Sequence, residues 1–137
     1  MLIRTSQRER LDHGNRPDGC PASSAGLFVI RADGTARFDR HYHDMGEFWL
    51  IATGTGTVAV GEDHYRVGAG DIVYTPAGVE HDIIDVTTEL RIFWLSSPVP
   101  TGGSGAHLHR SPDLTDKHPV PAVGEDAVTH DAVTQHE

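Results

Sequence analysis

The 137-residue sequence contains one cysteine, Cys20, and one lysine, Lys117. A single cysteine excludes an internal disulfide and any cluster of thiolate metal ligands. The lysine lies near the end of the chain, which argues against Schiff-base chemistry in the body of the domain. The longest apolar runs, residues 27–30 and 48–52, fall far short of the roughly 20 residues of a membrane span. We therefore expect no membrane partner.

Positive charge is also scarce, because 11 Lys and Arg residues face 20 Asp and Glu residues, for a formal net charge of -9. Nucleic-acid binding needs clustered cations, so nucleic acid is not expected as a partner. Residues 1–10 carry charges but lack the apolar core of a signal peptide, and we expect a cytoplasmic protein. The residue type in excess is histidine, with ten in a chain that fits one domain.

The composition changes along the chain. Residues 1–26 are polar and interrupted by glycine and proline, which predicts an extended arm with a short edge strand near residues 2–5. Residues 27–97 alternate short β-branched and aromatic runs with turn residues, a pattern typical of an all-β sandwich or barrel. The predicted strands cover residues 27–31, 36–43, 47–52, 55–60, 64–67, 71–75, 81–86 and 89–95.

After the predicted barrel the chain becomes polar again. Residues 98–137 contain six acidic and two basic residues, which favours an extended or flexible tail. We interpret His107, His109 and His118 as part of a solvated histidine-rich appendage, although the first two could form a metal pair. The predicted barrel has only about 70 residues, so we expect a homodimer in which the N-terminal arm is a plausible exchanged strand.

The densest polar cluster within a predicted strand begins at His41. His41 and His43 are two residues apart, so both side chains project from the same face of a strand. Glu47 follows after a short break, at the start of the next apolar segment. Two imidazoles and a carboxylate that converge in this way offer three ligands to a divalent metal, although a surface histidine pair has the same pattern.

A second segment adds another histidine. Residues 71–75 form a predicted strand, and Pro76 and Gly78 then define a sharp turn. His81 follows at the head of the next predicted strand. This position allows His81 to lie beside the first cluster.

Together these residues make the sequence resemble a cupin. The first cupin motif has the form G-X5-H-X-H-X3,4-E-X6-G, and His41, His43, Glu47 and Gly54 match it. The leading glycine is displaced by one position, to Gly34. In the second motif, G-X5-P-X-G-X2-H-X3-N, the matching residues are Gly70, Pro76, Gly78 and His81, while Asp85 stands where the family usually has asparagine.

The resemblance implies a small jelly-roll barrel in which His41, His43, Glu47 and His81 are the metal ligands. Three neutral imidazoles and one carboxylate suit iron, manganese, zinc, nickel or cobalt, and ligand type alone does not choose among them. Four protein ligands leave two positions of an octahedral metal open for water, a bidentate substrate or dioxygen. A closed structural site would leave none.

Strand alternation predicts which other side chains surround the metal. Residues on the same parity as the ligands are expected to line a largely apolar cavity. On the last strand either of two alternating sets could face inward, Arg91, Phe93 and Leu95 or Leu90, Ile92 and Trp94. Asp85, Tyr42 and Tyr74 are candidates for proton transfer, although a turn cap and aromatic packing are the commoner explanations. The predicted cavity residues are Arg37, Trp49, Ile51, Ile83, Arg91 and Phe93.

The cupin fold supports many reactions, so the resemblance does not identify one. We expect a metal-dependent enzyme acting on a small metabolite, with oxygenase chemistry placed first and isomerase, epimerase or cyclase chemistry second. A non-catalytic module that binds a small ligand is the alternative. Metal-free epimerase-type cupins are a third possibility, but these would not need the full set of three histidines and one glutamate.

Overall fold

The structure is a computed structural model that describes residues 1–128. Within this range strands predominate and helices are limited to single turns, which confirms the predicted all-β class. In chain order the elements are a 3-10 turn (Thr5–Gln7), β1 (Ser24–Ile30), β2 (Arg37–Phe38), β3 (Glu47–Val60), β4 (Asp63–Gly68), β5 (Ile72–Thr75), β6 (His81–Ser96), a second 3-10 turn (Pro112–Thr115), β7 (His118–Pro119) and α1 (Glu125–Val128).

Two long strands, β3 and β6, form the centre of the larger sheet. Its strand order is β1-β6-β3-β4, and β5 also pairs with β3. All of these pairings are antiparallel, and β3 and β6 pair along most of their length with four register shifts. A smaller sheet joins β2 to β7. Register shifts bend long strands, so two strands can contribute to both sides of a barrel.

The central strands are longer than the sequence predicts. The strands predicted at residues 47–52 and 55–60 are one strand, β3, and the last two predicted strands likewise form β6. Gly54 explains the continuity, because it has a φ of 92° and a Cβ there would lie 2.0 Å from the carbonyl oxygen of Glu89. The glycine therefore allows a close strand crossing and does not mark a turn.

Two predicted strands are shorter or missing. The strand predicted at 36–43 is reduced to β2, followed by isolated bridges at His41 and Tyr42. The edge strand predicted near 2–5 is absent, because the backbone closes a local turn in which the amides of Gln7 and Glu9 donate to the carbonyl of Arg4. The N-terminal arm contacts the barrel further along, where Leu11 forms an isolated antiparallel bridge with Ala25 of β1.

Alternating side chains of the two central strands form the core. Val58, Ile83, Val86, Leu90 and Ile92 have no exposed surface. Buried aliphatic side chains of this size each stabilise the fold by about 1.5–3 kcal/mol relative to an exposed position. The core therefore lies between the long strands and fixes the strand ends from which the site is built.

The chain after the barrel is not a flexible appendage, at least as far as residue 123. Residues 98–123, hereafter the C-terminal segment, pack on the barrel, and Val120 is fully buried in its core. The Val120 amide donates to the carbonyl of Ala36, and the Val86 amide donates to the carbonyl of Pro121. The polar composition suggested a solvated tail. The segment is attached through one buried valine and the two-residue strand β7, which are too short to produce a periodic hydrophobic pattern in the sequence. Residues 129–137 lie outside the described residues.

Candidate metal centre

Three separate pieces of chain bring the predicted ligands together. His41 and His43 lie on the loop after β2, Glu47 opens β3, and His81 opens β6. A two-hydrogen-bond bridge joins the backbones of His41 and His81, with N···O distances of 3.3 and 2.8 Å. All four residues are at least 93% buried.

The turn before β6 aims the last ligand. Gly78 has a φ of 79°, a conformation that favours glycine, and its amide donates to the carbonyl of His43 at 2.8 Å. This bond ties the Pro76–Gly78 reversal to the loop that carries the first two histidines. The spacing of the second motif therefore has a geometric reason, since the turn places His81 opposite His41.

The ligating atoms face one another at short range. The Nε2 atoms of His81 and His41 are 2.9 Å apart, and the Nε2 atom of His81 is 3.2 Å from Oε2 of Glu47. The Nε2 atom of His43 is 3.6 Å from the same carboxylate oxygen. The ligand atoms of His43, Glu47 and His81 all lie within 4.8 Å of one another.

The opposite ring nitrogens of two histidines are held by backbone carbonyls. The Nδ1 atom of His41 lies 2.7 Å from the carbonyl oxygen of Asp39, and that of His43 lies 3.3 Å from the carbonyl oxygen of Ala106. A carbonyl only accepts hydrogen bonds, so Nδ1 carries the proton in each neutral ring and Nε2 presents a lone pair. Metal-ligating histidines are commonly oriented in this way.

The protonation of the cluster also suits a metal. Burial and the neighbouring imidazoles lower the pKa of His41 to about 4 and the pKa of His81 to about 2. Both rings are therefore neutral at pH 7, the form that binds metals. Burial lowers the pKa of His43, but the Glu47 carboxylate, the Ala106 carbonyl and Asp39 together raise it above its usual value.

A divalent metal fits this donor set on physical grounds. In the described chain, Nε2 of His43 is buried without a hydrogen-bond partner, as is Nδ1 of His81. A buried polar atom without a partner is costly, and a metal ion on the Nε2 lone pair of His43 would remove that cost. The close approach of His41 and His81 likewise favours a cation between them. These groups could therefore hold a metal, as the sequence predicts.

A serine orients the carboxylate. The Ser96 hydroxyl, at the end of β6, donates to Oε1 of Glu47 at 3.2 Å, which leaves Oε2 facing the imidazoles. Ser96 is itself 2% exposed. Hydrogen-bond partners of this kind fix the direction of a ligand and influence metal affinity. The motifs gave no signal for Ser96, because its pairing with Glu47 arises from the register of β3 and β6.

The site opens into a cavity of about 750 Å³. Four Phe and Trp side chains line part of its wall, and the rings of Phe38 and Trp49 also contact the ligands His41 and His81. Four cationic side chains reach the cavity as well, and they come from the N-terminal arm, β2 and the C-terminal segment. These cations are Arg10, Arg16, Arg37 and Lys117.

Of the six predicted cavity residues, two line the cavity. Arg37 and Trp49 do so, with Trp49 directed inward alongside Glu47 as strand parity predicts. The predictions for Ile51 and Ile83 are wrong, because both side chains pack into the core behind the cavity wall.

Arg91 and Phe93 were also predicted at the cavity, and both predictions are wrong. Their parity on β6 places them on the outer face of the sheet, since the alternate residues Leu90 and Ile92 are fully buried. Arg91 instead pairs with Glu89 at 3.6 Å. Phe93 lines a separate apolar groove beside the N-terminal arm.

The two tyrosines predicted as proton-transfer groups lie outside the cavity lining. Tyr42 alternates with His41 and His43 along the chain, and its ring packs under the guanidinium of Arg110 at 4.6 Å. Tyr74 is half-exposed on the outer face and packs against Phe48, with 4.8 Å between ring centroids. Aromatic packing therefore accounts for both side chains.

Asp85 is also directed elsewhere. A register shift on β6 leaves Ile84 as an extra residue between the paired positions of Ile83 and Asp85, so the inward row does not continue to Asp85. Its carboxylate forms an ion pair with Arg66 at 3.1 Å. The bulge has no local sequence signal, which is why parity counting failed here.

Three histidines of the C-terminal segment that were interpreted as solvated, His107, His109 and His118, lie against the barrel. Asp39 lines the cavity, and its Oδ2 atom lies 2.7 Å from Nε2 of His109. His107 stacks on His41, with a centroid distance of 3.8 Å and an interplanar angle of 4°. His118 also contacts the barrel, at 2.7 Å from Asp82. Each contact spans at least 36 residues of sequence, so no local motif could reveal it.

The fold and the buried ligand cluster define a small jelly-roll protein with a candidate metal centre. The family model Cupin_2, described as a cupin domain, matches residues 27–97, more than half of the chain. The chain therefore belongs to the cupin family, which confirms the resemblance on which the ligand assignment rests.

Curated relatives share the sequence without naming a reaction. An uncharacterized protein of Sinorhizobium fredii is 40% identical over 86 residues, a match that covers 57% of this chain and 40% of that protein. An uncharacterized protein of Streptomyces coelicolor is 32% identical over 75 residues, covering 55% of this chain and 70% of that protein. The chain thus spans less than half the length of the Sinorhizobium relative.

Solved structures share the fold at low identity. A cupin-2 domain protein of Rhodospirillum rubrum aligns with a TM-score of 0.58 and 14% identity, over 78% of this chain and 66% of that one. A conserved-barrel cupin of Salinispora arenicola gives 0.53 and 19%, over 71% and 82%. The DMSP lyase DddQ of Ruegeria pomeroyi gives 0.55 and 20%, over 66% and 44%. These similarities support the fold alone.

Proposed function

We propose that this protein is a metal-dependent cupin enzyme that acts on a small metabolite able to chelate the metal, with oxygenase chemistry as the first expectation. The observation that carries the proposal is the buried set of His41, His43, Glu47 and His81 at the base of a cavity. A divalent ion held there would supply Lewis-acid activation of a chelating substrate and, as ferrous iron, dioxygen chemistry.

The cavity favours a small anionic substrate. Cations from three parts of the chain, among them Arg37 and Lys117, line the cavity together with aromatic and aliphatic side chains. Cationic side chains attract carboxylates and phosphates, and apolar walls exclude water from the bound molecule. Asp39 and Glu47 are the carboxylates nearest the imidazoles and would repel a second acidic group at the base. A substrate is therefore expected to place its acidic end toward the opening.

A non-catalytic ligand-binding cupin is the second candidate. The observation in its favour is that Tyr42, Tyr74 and Asp85, the predicted proton-transfer groups, do not line the cavity. The same observation disfavours isomerase, epimerase or cyclase chemistry, which depends more strongly on positioned acids and bases.

Metal analysis and oxygen uptake test these alternatives. Protein purified without oxygen and loaded with Fe²⁺ should be mixed with 2-hydroxy and 2-oxo carboxylates, while oxygen consumption and products are measured. Oxygen uptake coupled to product supports the oxygenase, product without uptake supports isomerase or cyclase chemistry, and binding without product supports the ligand-binding module. His81→Ala should lose both metal and turnover, whereas Tyr74→Phe should retain both. Turnover that survived metal stripping would contradict the proposal.

We also propose that the protein is a homodimer that buries the outer face of the larger sheet. Exposed apolar side chains lie together on β3, β5 and β6, including Leu50, Ile72, Phe93 and Leu95. The pairings of Leu50 with Ile72 and with Phe93 make these residues neighbours. An apolar patch of this kind is self-complementary and suits a two-fold interface.

Light scattering tests the dimer. The Ile72→Ser and Phe93→Ser double variant should elute as a monomer at concentrations where the unchanged protein is a dimer. Leu114→Ser, which alters a partly exposed apolar residue on the second 3-10 turn, is the control and should remain a dimer. A monomeric unchanged protein would contradict the proposal.

The proposed location is the cytoplasm. Within residues 1–128 the structure has no helix with the length and apolar character to cross a membrane. Fractionation of cells that express the full chain would test the location, and recovery from a secreted or membrane fraction would contradict it.

A further inference from the structure

One residue beside the candidate metal centre is bonded both to a ligand and to the C-terminal segment. Asp39 lies two residues before the first ligand, is buried and lines the cavity. Its backbone carbonyl accepts a hydrogen bond from Nδ1 of His41 at 2.7 Å. Its side-chain Oδ2 atom lies 2.7 Å from Nε2 of His109. Asp39 therefore links a metal ligand to a histidine that neither cupin motif contains.

The bond between His109 and Asp39 is short and shielded from water. A carboxylate only accepts hydrogen bonds, so Nε2 of His109 carries the proton and donates it. The two side chains are 10% and 16% exposed for Asp39 and His109. Hydrogen bonds to charged groups are stronger than those between neutral groups, and a buried carboxylate that loses its donor is costly. Breaking this bond should therefore displace the Asp39 side chain.

The other imidazoles near this carboxylate are farther away. The Nδ1 atom of His41 lies 3.4 Å from Oδ1, and the Nδ1 atom of His107 lies 3.7 Å from Oδ2. In the described chain the proton on Nδ1 of His41 is already directed to the Asp39 carbonyl. His109 is therefore the side chain best placed to hold the Asp39 carboxylate.

Backbone bonds place His109 opposite Asp39. The amides of Tyr42 and Leu108 each donate to the other residue's carbonyl, at 2.9 and 3.0 Å, in an antiparallel bridge. Further along, the Ser104 amide donates to the carboxylate of Asp44 at 2.8 Å. The C-terminal segment thus runs antiparallel along the loop that carries the first two ligands, and His109 directly follows Leu108.

The direction of the His41 ring depends on where Asp39 lies. With Nδ1 of His41 bonded to the Asp39 carbonyl, Nε2 of His41 faces Nε2 of His81 at 2.9 Å. A displaced Asp39 would move the accepting carbonyl and release the ring from this direction. Partners that orient a ligating imidazole in this way typically change metal affinity by about 10- to 100-fold.

We propose that His109 is a positioning residue of the metal centre, which acts through Asp39 on the ligand His41. This inference rests on the proposed metal binding and extends it to the C-terminal segment. The barrel supplies the four ligands, and the segment holds the residue whose carbonyl orients one of them.

Cobalt binding to the full chain tests this role without a substrate. In His109→Ala, Co²⁺ affinity measured by competition with a chelator should fall about tenfold, and the visible Co²⁺ spectrum should change because the His41 ring is no longer fixed. His109→Gln keeps an N–H donor for the carboxylate and should retain the spectrum and an affinity within about threefold. His64→Ala removes an exposed histidine on β4 and should leave both unchanged.

A double-mutant cycle separates this role from a general loosening of the segment. Asp39→Ala keeps the backbone carbonyl but removes the carboxylate, and it should weaken Co²⁺ binding about as much as His109→Ala. The double variant should bind within about threefold of either single variant, because both changes break the same bond. Thermal unfolding shows which variants fold, and His109→Phe, which keeps a ring without a donor, replaces His109→Ala should that variant unfold.

Three results would overturn the proposal. They are an unchanged affinity and spectrum in the variant without a donor, additive losses in the double variant, and a loss in His109→Gln as large as that in His109→Ala. In each case tight Co²⁺ binding by the unchanged protein would leave the four-ligand site standing. Failure of the unchanged protein to bind Co²⁺ would overturn both this role and the proposed metal binding.

Discussion

The barrel ligands and the histidines of the C-terminal segment meet at one site but have different structural support. His41 and His81 are at most 3% exposed and are joined by backbone hydrogen bonds between a loop and the head of β6. His107 is more than half exposed and depends on bonds made by its neighbours. The barrel therefore presents a preorganised ligand set, and the segment adds a more exposed side to the same site.

This difference indicates that the barrel and the C-terminal segment have different roles at the site. Rigid ligands hold a metal in fixed geometry, whereas a half-exposed group at the opening can respond to what enters the cavity. The segment also contributes Lys117 to the cavity, close in sequence to β7. Substitutions in the barrel should therefore affect both folding and metal binding. Substitutions in the C-terminal segment should be able to lower stability without removing the metal.

The largest expected effect is on the barrel framework, at Gly54. Its φ of 92° disfavours a side chain, and a Cβ would clash with the backbone of Glu89 at 2.0 Å. Gly54→Ala should lower the free energy of unfolding by about 3 kcal/mol, measured by denaturant titration. Gly34→Ala, with a φ of 80° but no atom within 4 Å of the added Cβ, should cost only about 1 kcal/mol. Equal losses would show that the strand crossing is not tight.

The second prediction concerns the packing of the C-terminal segment on the barrel. Val120→Ala removes two methyl groups from a fully buried side chain and should lower the free energy of unfolding by about 2 kcal/mol. Val29→Ala, at a 37% exposed position on β1, should cost much less. Co²⁺ stoichiometry should stay unchanged in both variants, since the four barrel ligands are untouched. Loss of stoichiometric binding in Val120→Ala would contradict a self-sufficient barrel site.

The same contrast explains what the sequence could predict. His41, His43, Glu47 and His81 were found because two local motifs encode loops and turns that bring them together. His107 could not be found, because its position depends on the pairing of Leu108 with Tyr42, 66 residues earlier. The polar composition of the segment also concealed its attachment.

Strand parity succeeded or failed for a comparable reason. It placed Trp49 correctly beside Glu47, because β3 alternates regularly at its start. It failed at Asp85, since the bulge at Ile84 interrupts the alternation of β6. Alternation predicts which face a side chain occupies only where the pairing register between the two strands is unbroken. That register is a property of the folded pair of strands.

The smallest predicted effect is on the orientation of one ligand. Ser96→Ala removes the hydroxyl that donates to Oε1 of Glu47 and should weaken Co²⁺ binding about tenfold, measured by chelator competition. Ser97→Ala, at the next residue, should leave the affinity unchanged. An unchanged affinity in Ser96→Ala would mean that the barrel site does not depend on this hydrogen bond.

The central claim is that four barrel side chains hold one divalent metal ion, and elemental analysis of the full chain after Co²⁺ loading and desalting tests it most directly. We predict one ion per chain for the unchanged protein, close to zero for His41→Ala and His81→Ala, and one for the control His64→Ala, with all variants shown to be folded. Less than a tenth of an ion in the unchanged protein, or full occupancy in His81→Ala, would contradict the account.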